Sequence, residues 1–347
     1  NDTLIGGAGV DTLDGGSGND EVDFSNSTGV TLTLDGSSDA IATSNLGSDT
    51  LTNIENALGS DTGIDVLEGD SVVNVLRAQG GDDTLIASSG NDTLDGGSGN
   101  DEVSFVNSTT GVTLALNAGT NAVANSDLGA DIITNIENIR GSSASDTFTG
   151  DTLDNVILGE AGNDTLIASS GSDALDGGIG IDVADFSSST GVNVTLAGSN
   201  DATATSNLGS DTLKNIENVL GSNTGADTIA GDSTLNVLKG QGGDDTLIAS
   251  LGDDTLDGGS GTDEVSFVNS SSGVTLTLNG ASDATASSDL GSDIVKNIEN
   301  VRGSSVNDTI TGDSTDNLLI GEEGADVLDG GVGIDTLQGS AGTDTLI

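Results

Sequence analysis

The feature that most constrains this chain is a nine-residue period. Residues that set the phase of this period recur nine positions apart, and an aliphatic residue follows two positions after each of them. Six residues rich in Gly, Ser and Asn precede each phase-setting residue, and this composition predicts a turn because positive φ costs glycine little. The three residues that follow predict a short strand whose middle side chain points inward. One such series is Asn56, Asp65, Asn74, Asp83, Asp92 and Asp101, with the aliphatic residues Leu58, Leu67, Leu76, Leu85, Leu94 and Val103.

Two of these nine-residue turn–strand units close one coil, because each unit reverses the direction of the chain. Successive coils stack at the strand spacing of roughly 4.8 Å. One inward aliphatic side chain per half-coil then forms a thin, continuous core, as in other solenoids. The pattern therefore predicts an all-β fold, a parallel β-roll or β-helix solenoid.

A longer period overlies the period of nine. The phrase DTLDGGSGNDEVDF begins at residue 11 and returns in modified form at residues 92, 173 and 254, with a partial copy at 335. Two pairs of basic residues lie at matching positions of alternate repeats, Arg77 with Lys239 and Arg140 with Arg302. We expect one continuous solenoid over residues 1–347, excerpted from a longer chain. Its parts are a partial repeat (1–10), repeats of two alternating types, A (11–91), B (92–172), A (173–253) and B (254–334), and a second partial repeat (335–347).

The alternation of the repeats has an arithmetic explanation. The step from residue 11 to residue 92 equals nine turn–strand units, or four and a half coils. Successive repeats would then place equivalent residues on opposite edges of the roll. This hypothesis requires that Asp20 and Asp101 lie on different edges. The intervening segment of each repeat, 24–56 in the first, alternates apolar and polar residues in GVTLTLD and predicts wider coils or a strand-rich excursion.

Composition narrows the class of function. The chain holds 57 acidic and 6 basic residues, a formal net charge of −51, which opposes binding to nucleic acid or to an anionic membrane surface and favours cations. The sequence contains no His, the usual base of a nucleophilic catalytic triad, and no Cys for a disulfide. No apolar run approaches the length of a membrane span. We therefore expect that this segment is not an enzyme and does not insert into a membrane.

The glycine- and aspartate-rich units resemble a known family. GGAGVDTLD and GGSGNDEVD, within residues 6–23, resemble the G-G-x-G-x-D-x-U-x nonapeptide of the RTX (haemolysin-type) calcium-binding repeats, and residues 96–104 and 258–266 also match. The resemblance implies calcium ions, several per chain, held between stacked turns of the roll. It also implies secretion through type I machinery and folding outside the cell.

Candidate calcium ligands follow from the spacing and from the resemblance. A calcium ion takes six to eight oxygen atoms, and two turns one coil apart supply a pair of aspartates two nonapeptides apart. By resemblance, carbonyl groups of the turn glycines complete the shell, with Gly15, Gly16, Gly18, Gly96, Gly97 and Gly99 as candidates. The aspartate candidates are Asp2, Asp11, Asp20, Asp65, Asp83, Asp92, Asp101, Asp146, Asp164, Asp173, Asp182, Asp227, Asp245, Asp254, Asp263, Asp308, Asp326, Asp335 and Asp344.

Other turn residues have alternative interpretations. Asp and Asn also favour turns without a metal ion, and Asn53, Asn56 and their equivalents in the NIEN segments are expected to form a structural ladder. Asn74, Asn155, Asn236 and Asn317 each stand one coil before an aspartate, and these mixed pairs are expected to bind calcium more weakly. The glutamates of the NIEN segments are expected to be solvated: Glu55, Glu137, Glu217 and Glu299. Four phenylalanines, one at the same position of each repeat, are expected in the core: Phe24, Phe105, Phe186 and Phe267.

The functional expectation is a calcium-stabilised extracellular structural region. It would be a stalk, filament or surface-layer segment of a secreted or cell-surface bacterial protein, with end-to-end or lateral self-association as a further expectation. Two alternatives stay open. The first is an accessory module of a secreted enzyme that acts on polysaccharide, and the second is a ligand-binding region of an adhesin.

Overall fold

The computed structural model describes residues 1–347, and every regular element in it is a β-strand. The chain divides into two compact units, Asn1–Gly180 and Ile181–Ile347. Each unit contains two long sheets, and most strand pairs within them are parallel. An all-β roll is therefore confirmed.

The strands of the first unit are mostly three residues long, as the nine-residue period predicts. They are β1 (Thr3–Leu4), β2 (Thr12–Asp14), β3 (Glu21–Asp23), β4 (Val30–Thr33), β5 (Ala40–Ser44), β6 (Ser48–Thr52), β7 (Asn56–Leu58), β8 (Val66–Glu68), β9 (Val75–Arg77), β10 (Thr84–Ile86), β11 (Thr93–Asp95), β12 (Glu102–Ser104), β13 (Thr113–Ala115), β14 (Ala122–Asn125), β15 (Ala130–Thr134), β16 (Asn138–Arg140), β17 (Thr147–Thr149), β18 (Val156–Leu158), β19 (Thr165–Ile167) and β20 (Ala174–Asp176).

The second unit continues the same pattern of strands. They are β21 (Val183–Asp185), β22 (Val192–Thr195), β23 (Ala202–Ser206), β24 (Ser210–Lys214), β25 (Asn218–Leu220), β26 (Thr228–Ala230), β27 (Val237–Gly242), β28 (Thr246–Ile248), β29 (Thr255–Ser260), β30 (Glu264–Ser266), β31 (Thr275–Thr277), β32 (Ala284–Ser287), β33 (Ser292–Lys296), β34 (Asn300–Arg302), β35 (Thr309–Thr311), β36 (Leu318–Ile320), β37 (Glu323–Gly324), β38 (Val327–Asp329), β39 (Thr336–Gln338), β40 (Ala341–Gly342) and β41 (Thr345–Leu346).

The register of the parallel strands confirms that two nonapeptides make one coil. Thr84 in β10 pairs with Glu102 in β12, and Val75 in β9 pairs with Thr93 in β11. The middle residue of most three-residue strands is fully buried, as Leu85 and Val103 show. One aliphatic side chain per half-coil therefore builds the core.

In the first unit, successive strands outside the excursions belong alternately to one sheet and to the other. Sheet I runs β1–β3–β7–β9–β11–β15–β14–β13–β17–β19. Sheet II runs β2–β6–β5–β4–β8–β10–β12–β16–β18–β20. Each ordinary turn of the roll therefore connects a strand of one sheet to a strand of the other.

The intervening segments are strand-rich excursions, and each excursion is an antiparallel group of three strands. In the first, β4, β5 and β6 lie side by side in sheet II, and β6 and β4 pair in parallel with the ordinary strands β2 and β8. Alternating residues of these strands are buried, for example Val30, Leu32 and Ala42. The whole excursion occupies a single coil, since Glu21 in β3 pairs directly with Asn56 in β7.

The second unit repeats this arrangement. Sheet III runs β21–β25–β27–β29–β33–β32–β31–β35–β38–β41. Sheet IV runs β24–β23–β22–β26–β28–β30–β34–β36–β39. A short additional pair joins β37 and β40. The excursions of this unit are β22–β24 in sheet IV and β31–β33 in sheet III.

Successive repeats do place equivalent residues on opposite edges. Asp20 precedes β3 in sheet I, whereas Asp101 precedes β12 in sheet II. The expected count of four and a half coils is wrong, because the excursion completes only one coil where about two were counted. Each repeat contains three and a half coils, and this number is still half-integral. Consequently each unit carries one excursion in each of its two sheets.

Two further groups of residues complete the packing. The phenylalanines that recur once per repeat are buried core residues, as expected; Phe105, Phe186 and Phe267 are fully inaccessible. On the outer surface, arginines bridge to acidic residues of neighbouring coils. Arg140 binds Glu102 at 3.0 Å and also contacts Glu160. These pairs reduce the repulsion along the outer faces.

Candidate metal centres in the stacked turns

Aspartates at the ends of the turns form hydrogen-bonded ladders. The Asp65 amide donates to Asp83 Oδ1 at 2.7 Å, and the Asp83 amide donates to Asp101 Oδ1 at 2.8 Å. All three aspartates are almost completely buried. The same pattern links Asp227, Asp245 and Asp263 in the second unit. The spacing of two nonapeptides therefore brings these predicted pairs together, one coil apart.

In one class of turn, which we call open, the second carboxylate oxygen has no donor. Oδ2 of Asp83 and Oδ2 of Asp101 are buried and accept no hydrogen bond from the protein. In the turn of Asp101 this oxygen lies close to the first turn glycine, since a Cβ atom at Gly96 would be 2.7 Å from Asp101 Oδ2. Other candidates with such an orphaned oxygen are Asp11, Asp20, Asp245, Asp263 and Asp326.

Burial shifts the ionisation of these open carboxyl groups. Desolvation raises the pKa of Asp83 to about 7 and that of Asp101 to about 6, and the neighbouring carboxylates add to both shifts. Asp245 and Asp263 show the same effect, with pKa values of about 7 and about 6. A buried carboxylate without a compensating charge is costly. The open turns are therefore the places where a bound cation would lower the free energy most.

In a second class of turn, which we call hydroxyl-closed, a serine of the same turn donates a hydrogen bond to the aspartate carboxylate. Asp65 Oδ1 accepts from the Val30 amide at 2.7 Å, and its Oδ2 accepts from the Ser60 amide at 2.7 Å. The Ser60 hydroxyl also contacts both oxygens. Asp146, Asp227 and Asp308 have equivalent serine partners. In Asp92, Asp173 and Asp254 the hydroxyl of a serine four residues earlier contacts Oδ2.

Predicted aspartates near the two chain ends are more exposed, and the ladder also continues through Asp164 and Asp182, which are completely buried. Asp2 is exposed, and only its amide reaches the ladder, at Asp20 Oδ1. Asp335 and Asp344 are partly buried, and each accepts a ladder hydrogen bond, from Asn317 and Asp326 respectively. Asp164 accepts from the Asp146 amide, and the Asp182 amide donates to Glu217 Oε2.

Four buried aspartates in the excursions were not among the predicted ligands. Asp131 is completely buried, its Oδ1 accepts from the Asp92 amide, and its Oδ2 has no donor; Asp293 is equivalent. Burial raises the pKa of both to about 6. These aspartates could have been found from the sequence, because each lies in a segment Gly-x-Asp-x-Leu/Ile/Val, which matches the second half of a nonapeptide. The four residues are Asp49, Asp131, Asp211 and Asp293.

The NIEN glutamates are partly buried and accept hydrogen bonds from the ladder, whereas the sequence predicts solvated side chains. The Asp101 amide donates to Glu137 Oε2 at 2.9 Å, and the Asp20 amide donates to Glu55 Oε2 at 2.8 Å. Burial raises the pKa of Glu137. The longer glutamate side chain takes the place of an aspartate where the excursion interrupts the regular spacing. The structural role expected for Asn56 is confirmed, since its Oδ1 accepts from the Val75 amide.

Close contact between turns explains the glycine pattern. Gly99 has φ of 150°, and a Cβ atom there would lie 1.6 Å from the Gly81 carbonyl oxygen one coil earlier. A Cβ atom at Gly97 would lie 2.2 Å from the Gln79 carbonyl oxygen. The turn backbones, including their carbonyl groups, therefore approach each other beside the aspartates. Among the other predicted glycines, Gly15 packs against Asp20 in the way that Gly96 packs against Asp101, while Gly16 faces open space and Gly18 faces Asn1.

The donor set fits a hard cation that is held partly by backbone oxygen atoms. No group of three or more acidic side chains converges on one point, so carboxylates alone do not build a complete site. The open turns combine an orphaned, buried carboxylate oxygen with backbone carbonyl groups of stacked glycine turns. Calcium prefers such all-oxygen, mixed shells. Asp83 with Asp101, and Asp245 with Asp263, would hold it.

Comparison with known proteins agrees with this chemistry. A family model described as the RTX calcium-binding nonapeptide repeat (4 copies) matches residues 1–25, 68–103, 149–184, 222–256, 231–265, 302–337 and 329–347. Together these segments contain more than half of the chain. The matched segments include both open pairs described above.

Comparison with solved structures and with curated proteins adds little to the family match. The crystal structure of extracellular lipase LipA from Serratia marcescens is similar at 14% sequence identity and a TM-score of 0.20, over 70% of this chain. The chain spans about 37% of the length of that lipase. No curated protein matches. The structure has no helical segment with the length and hydrophobicity needed to cross a bilayer.

Proposed function

This chain belongs to the RTX calcium-binding nonapeptide repeat family, and we propose that it is a calcium-stabilised structural segment that works outside the cell. The observation that carries the proposal is the set of buried Oδ2 atoms without protein donors in the open turns. These atoms recur along ladders in both units rather than in one singular cluster. Such repetition suits a stabilising role better than a catalytic one.

The acidic charge of the chain opposes folding when no counterion is bound. The chain carries a formal net charge of −51, and stacking its coils brings carboxyl groups of neighbouring turns together, as in Asp83 and Asp101. Without a counterion, this repulsion and the desolvation of the carboxylates oppose folding. Calcium, when bound, supplies positive charge and coordination for the orphaned oxygens. Its binding free energy then becomes part of the folding free energy.

The residues of the chain have separate tasks in this scheme. The ladder hydrogen bonds hold one oxygen of each open aspartate in a fixed position, as the Asp83 amide does for Asp101 Oδ1. The turn glycines allow adjacent backbones to approach closely enough to share a cation. The buried Leu and Val residues supply the core that joins neighbouring coils.

The extracellular location belongs to the same proposal. Millimolar calcium outside a cell would favour the folded roll, and low calcium inside would leave the acidic chain expanded for type I secretion. A repetitive roll without disulfides suits a stalk, filament or surface-layer segment of a bacterial protein, with self-association through unpaired strand edges.

Chelation tests the proposal. Addition of EGTA is expected to reduce the β-sheet signal in far-UV circular dichroism, and excess Ca²⁺ is expected to restore it. Mg²⁺ at the same concentration is the control, and it should restore less because it demands a smaller, octahedral shell. A spectrum and unfolding temperature that EGTA leaves unchanged would contradict calcium-linked folding.

A further inference from the structure

Four turns are closed by an asparagine side chain whose amide group is fully used. Asn74 is completely buried; its Oδ1 accepts from the Asp70 amide at 2.8 Å. Its Nδ2 donates to the Glu55 carbonyl oxygen at 2.7 Å and to Asp70 Oδ1 at 3.2 Å. We call these turns amide-closed. No polar atom of this side chain is left without a partner.

The geometry recurs once in each repeat. Asn155 Nδ2 donates to the Glu137 carbonyl oxygen at 2.7 Å, and Asn236 Nδ2 donates to the Glu217 carbonyl oxygen at 2.7 Å. Asn317 Nδ2 donates to the Glu299 carbonyl oxygen at 2.8 Å. All four asparagines are buried, and Asn317, the most accessible of them, is only 3% exposed. The repetition identifies the contact as a regular part of the roll.

The amide-closed turn and the open turn differ by one atom type. Asparagine and aspartate have nearly the same shape, and the amides of Asn74 and Asp83 both donate to an aspartate Oδ1 one coil later. The second terminal atom of Asp83 is an oxygen without a donor, whereas that of Asn74 is a nitrogen that donates to a carbonyl oxygen. A backbone carbonyl is also a typical ligand for calcium. The amide nitrogen therefore satisfies an oxygen that a cation would otherwise bind.

In the coils around Asn74, the two kinds of turn lie on different edges. Asn74 precedes β9 and Asp92 precedes β11, both in sheet I, and Ser88 closes Asp92. The open residues Asp83 and Asp101 precede β10 and β12, both in sheet II. At these coils, one edge is closed by protein donors and the opposite edge is not.

We propose that Asn74, Asn155, Asn236 and Asn317 specify where the roll does not bind calcium, so that the coils around each of these asparagines have one metal-independent edge. The proposal rests on the calcium-binding function proposed above and adds to it the residue that selects between the two kinds of turn. Aspartate at these positions would convert an amide-closed turn into a calcium site. The metal-independent edge would also retain structure when calcium is removed.

The first test counts bound ions. Asn74→Asp is expected to bind one more Ca²⁺ per chain than the wild type, measured by equilibrium dialysis and metal analysis. Asn26→Asp is the matched control, because it adds the same charge at an exposed position, and its ion count should equal that of the wild type. An unchanged count in a folded Asn74→Asp variant would overturn the proposal.

The second test uses only the wild type, so it remains decisive if the variant does not fold. In EGTA, hydrogen exchange is expected to be slower at the Asp70 and Asn74 amides than at the Asp65 and Asp83 amides, by on the order of tenfold. Equal exchange at the two edges would overturn the proposal. A wild type that binds no calcium would instead refute the proposed function, and the difference in exchange would still be measurable.

Discussion

At the scale of single residues, one atom separates the turns of this protein into chemical classes. The second terminal atom of the turn residue is an orphaned oxygen in Asp101, a serine-bound oxygen in Asp65 and a donating nitrogen in Asn74. The nine-residue spacing alone does not distinguish between the aspartates as calcium ligands. The contacts that distinguish them include the bond from Val30 to Asp65, which joins residues 35 positions apart.

The glycines of the open turns should tolerate substitution according to their contacts. Gly99→Ala would place a Cβ atom 1.6 Å from the Gly81 carbonyl oxygen, and we expect destabilisation of about 3 kcal/mol or more. Gly16→Ala is the control, since Gly16 also has positive φ but faces open space. It should cost about 1–2 kcal/mol, the penalty of the left-handed conformation alone. Urea unfolding in saturating calcium measures both, and equal losses would show that turn contact is unimportant.

At the scale of elements, the excursions determine how repeats alternate. An excursion puts three strands into one sheet while the other sheet continues directly, as β3 pairs with β7. If every excursion lay in the same sheet, the two sheets of a unit would differ increasingly in strand number. The odd number of half-coils per repeat prevents this, because it moves the next excursion to the other sheet.

Deletions of whole coils and half-coils should therefore differ. Deletion of residues 75–92 removes one full coil and preserves the sheet in which the following excursion lies. Deletion of residues 75–83 removes half a coil and moves that excursion into the sheet that already holds β4–β6. We expect the first variant to keep cooperative, calcium-dependent thermal unfolding.

The second variant is expected to lose cooperativity or to unfold at a lower temperature, although it removes a shorter segment. Calorimetry in calcium provides the comparison. If the half-coil deletion proves as stable as the full-coil deletion, the parity of half-coils does not matter for folding.

At the scale of the whole molecule, the acidic charge makes stability depend on protons as well as on calcium. Burial raises the pKa of Asp83 and Asp245 to about 7, and that of Asp101, Asp131 and Asp263 to about 6, from an ordinary value of 3.8. The folded state therefore takes up protons at a higher pH than the unfolded state. This contribution to stability is fully present below about pH 4 and is lost as pH rises through about 6–7.

In EGTA, the unfolding temperature is thus expected to rise as pH falls from about 7.5 towards about 5. The increase in unfolding temperature caused by calcium should shrink over the same range, because protons and calcium compete for the same carboxylates. Differential scanning calorimetry across this pH range, with and without calcium, checks both effects. A calcium-free protein that becomes steadily less stable on acidification would contradict the role assigned to the open carboxylates.

The local features of this chain can be predicted from its sequence: the nine-residue turn–strand unit, the inward Leu and Val residues, the glycine turns and the pairing of Asp83 with Asp101 one coil apart. These follow from short-range chemistry and a constant spacing. Other features are visible only in the folded chain: the antiparallel order of β4–β6, the burial of Asp131, the role of Glu137 and the closure of turns by Ser60, Ser88 or Asn74. The positions of Asp131 and Glu137 depend on contacts across an excursion, where the regular period is interrupted, whereas the closing serines act within their own turns and Asn74 contacts the preceding coil.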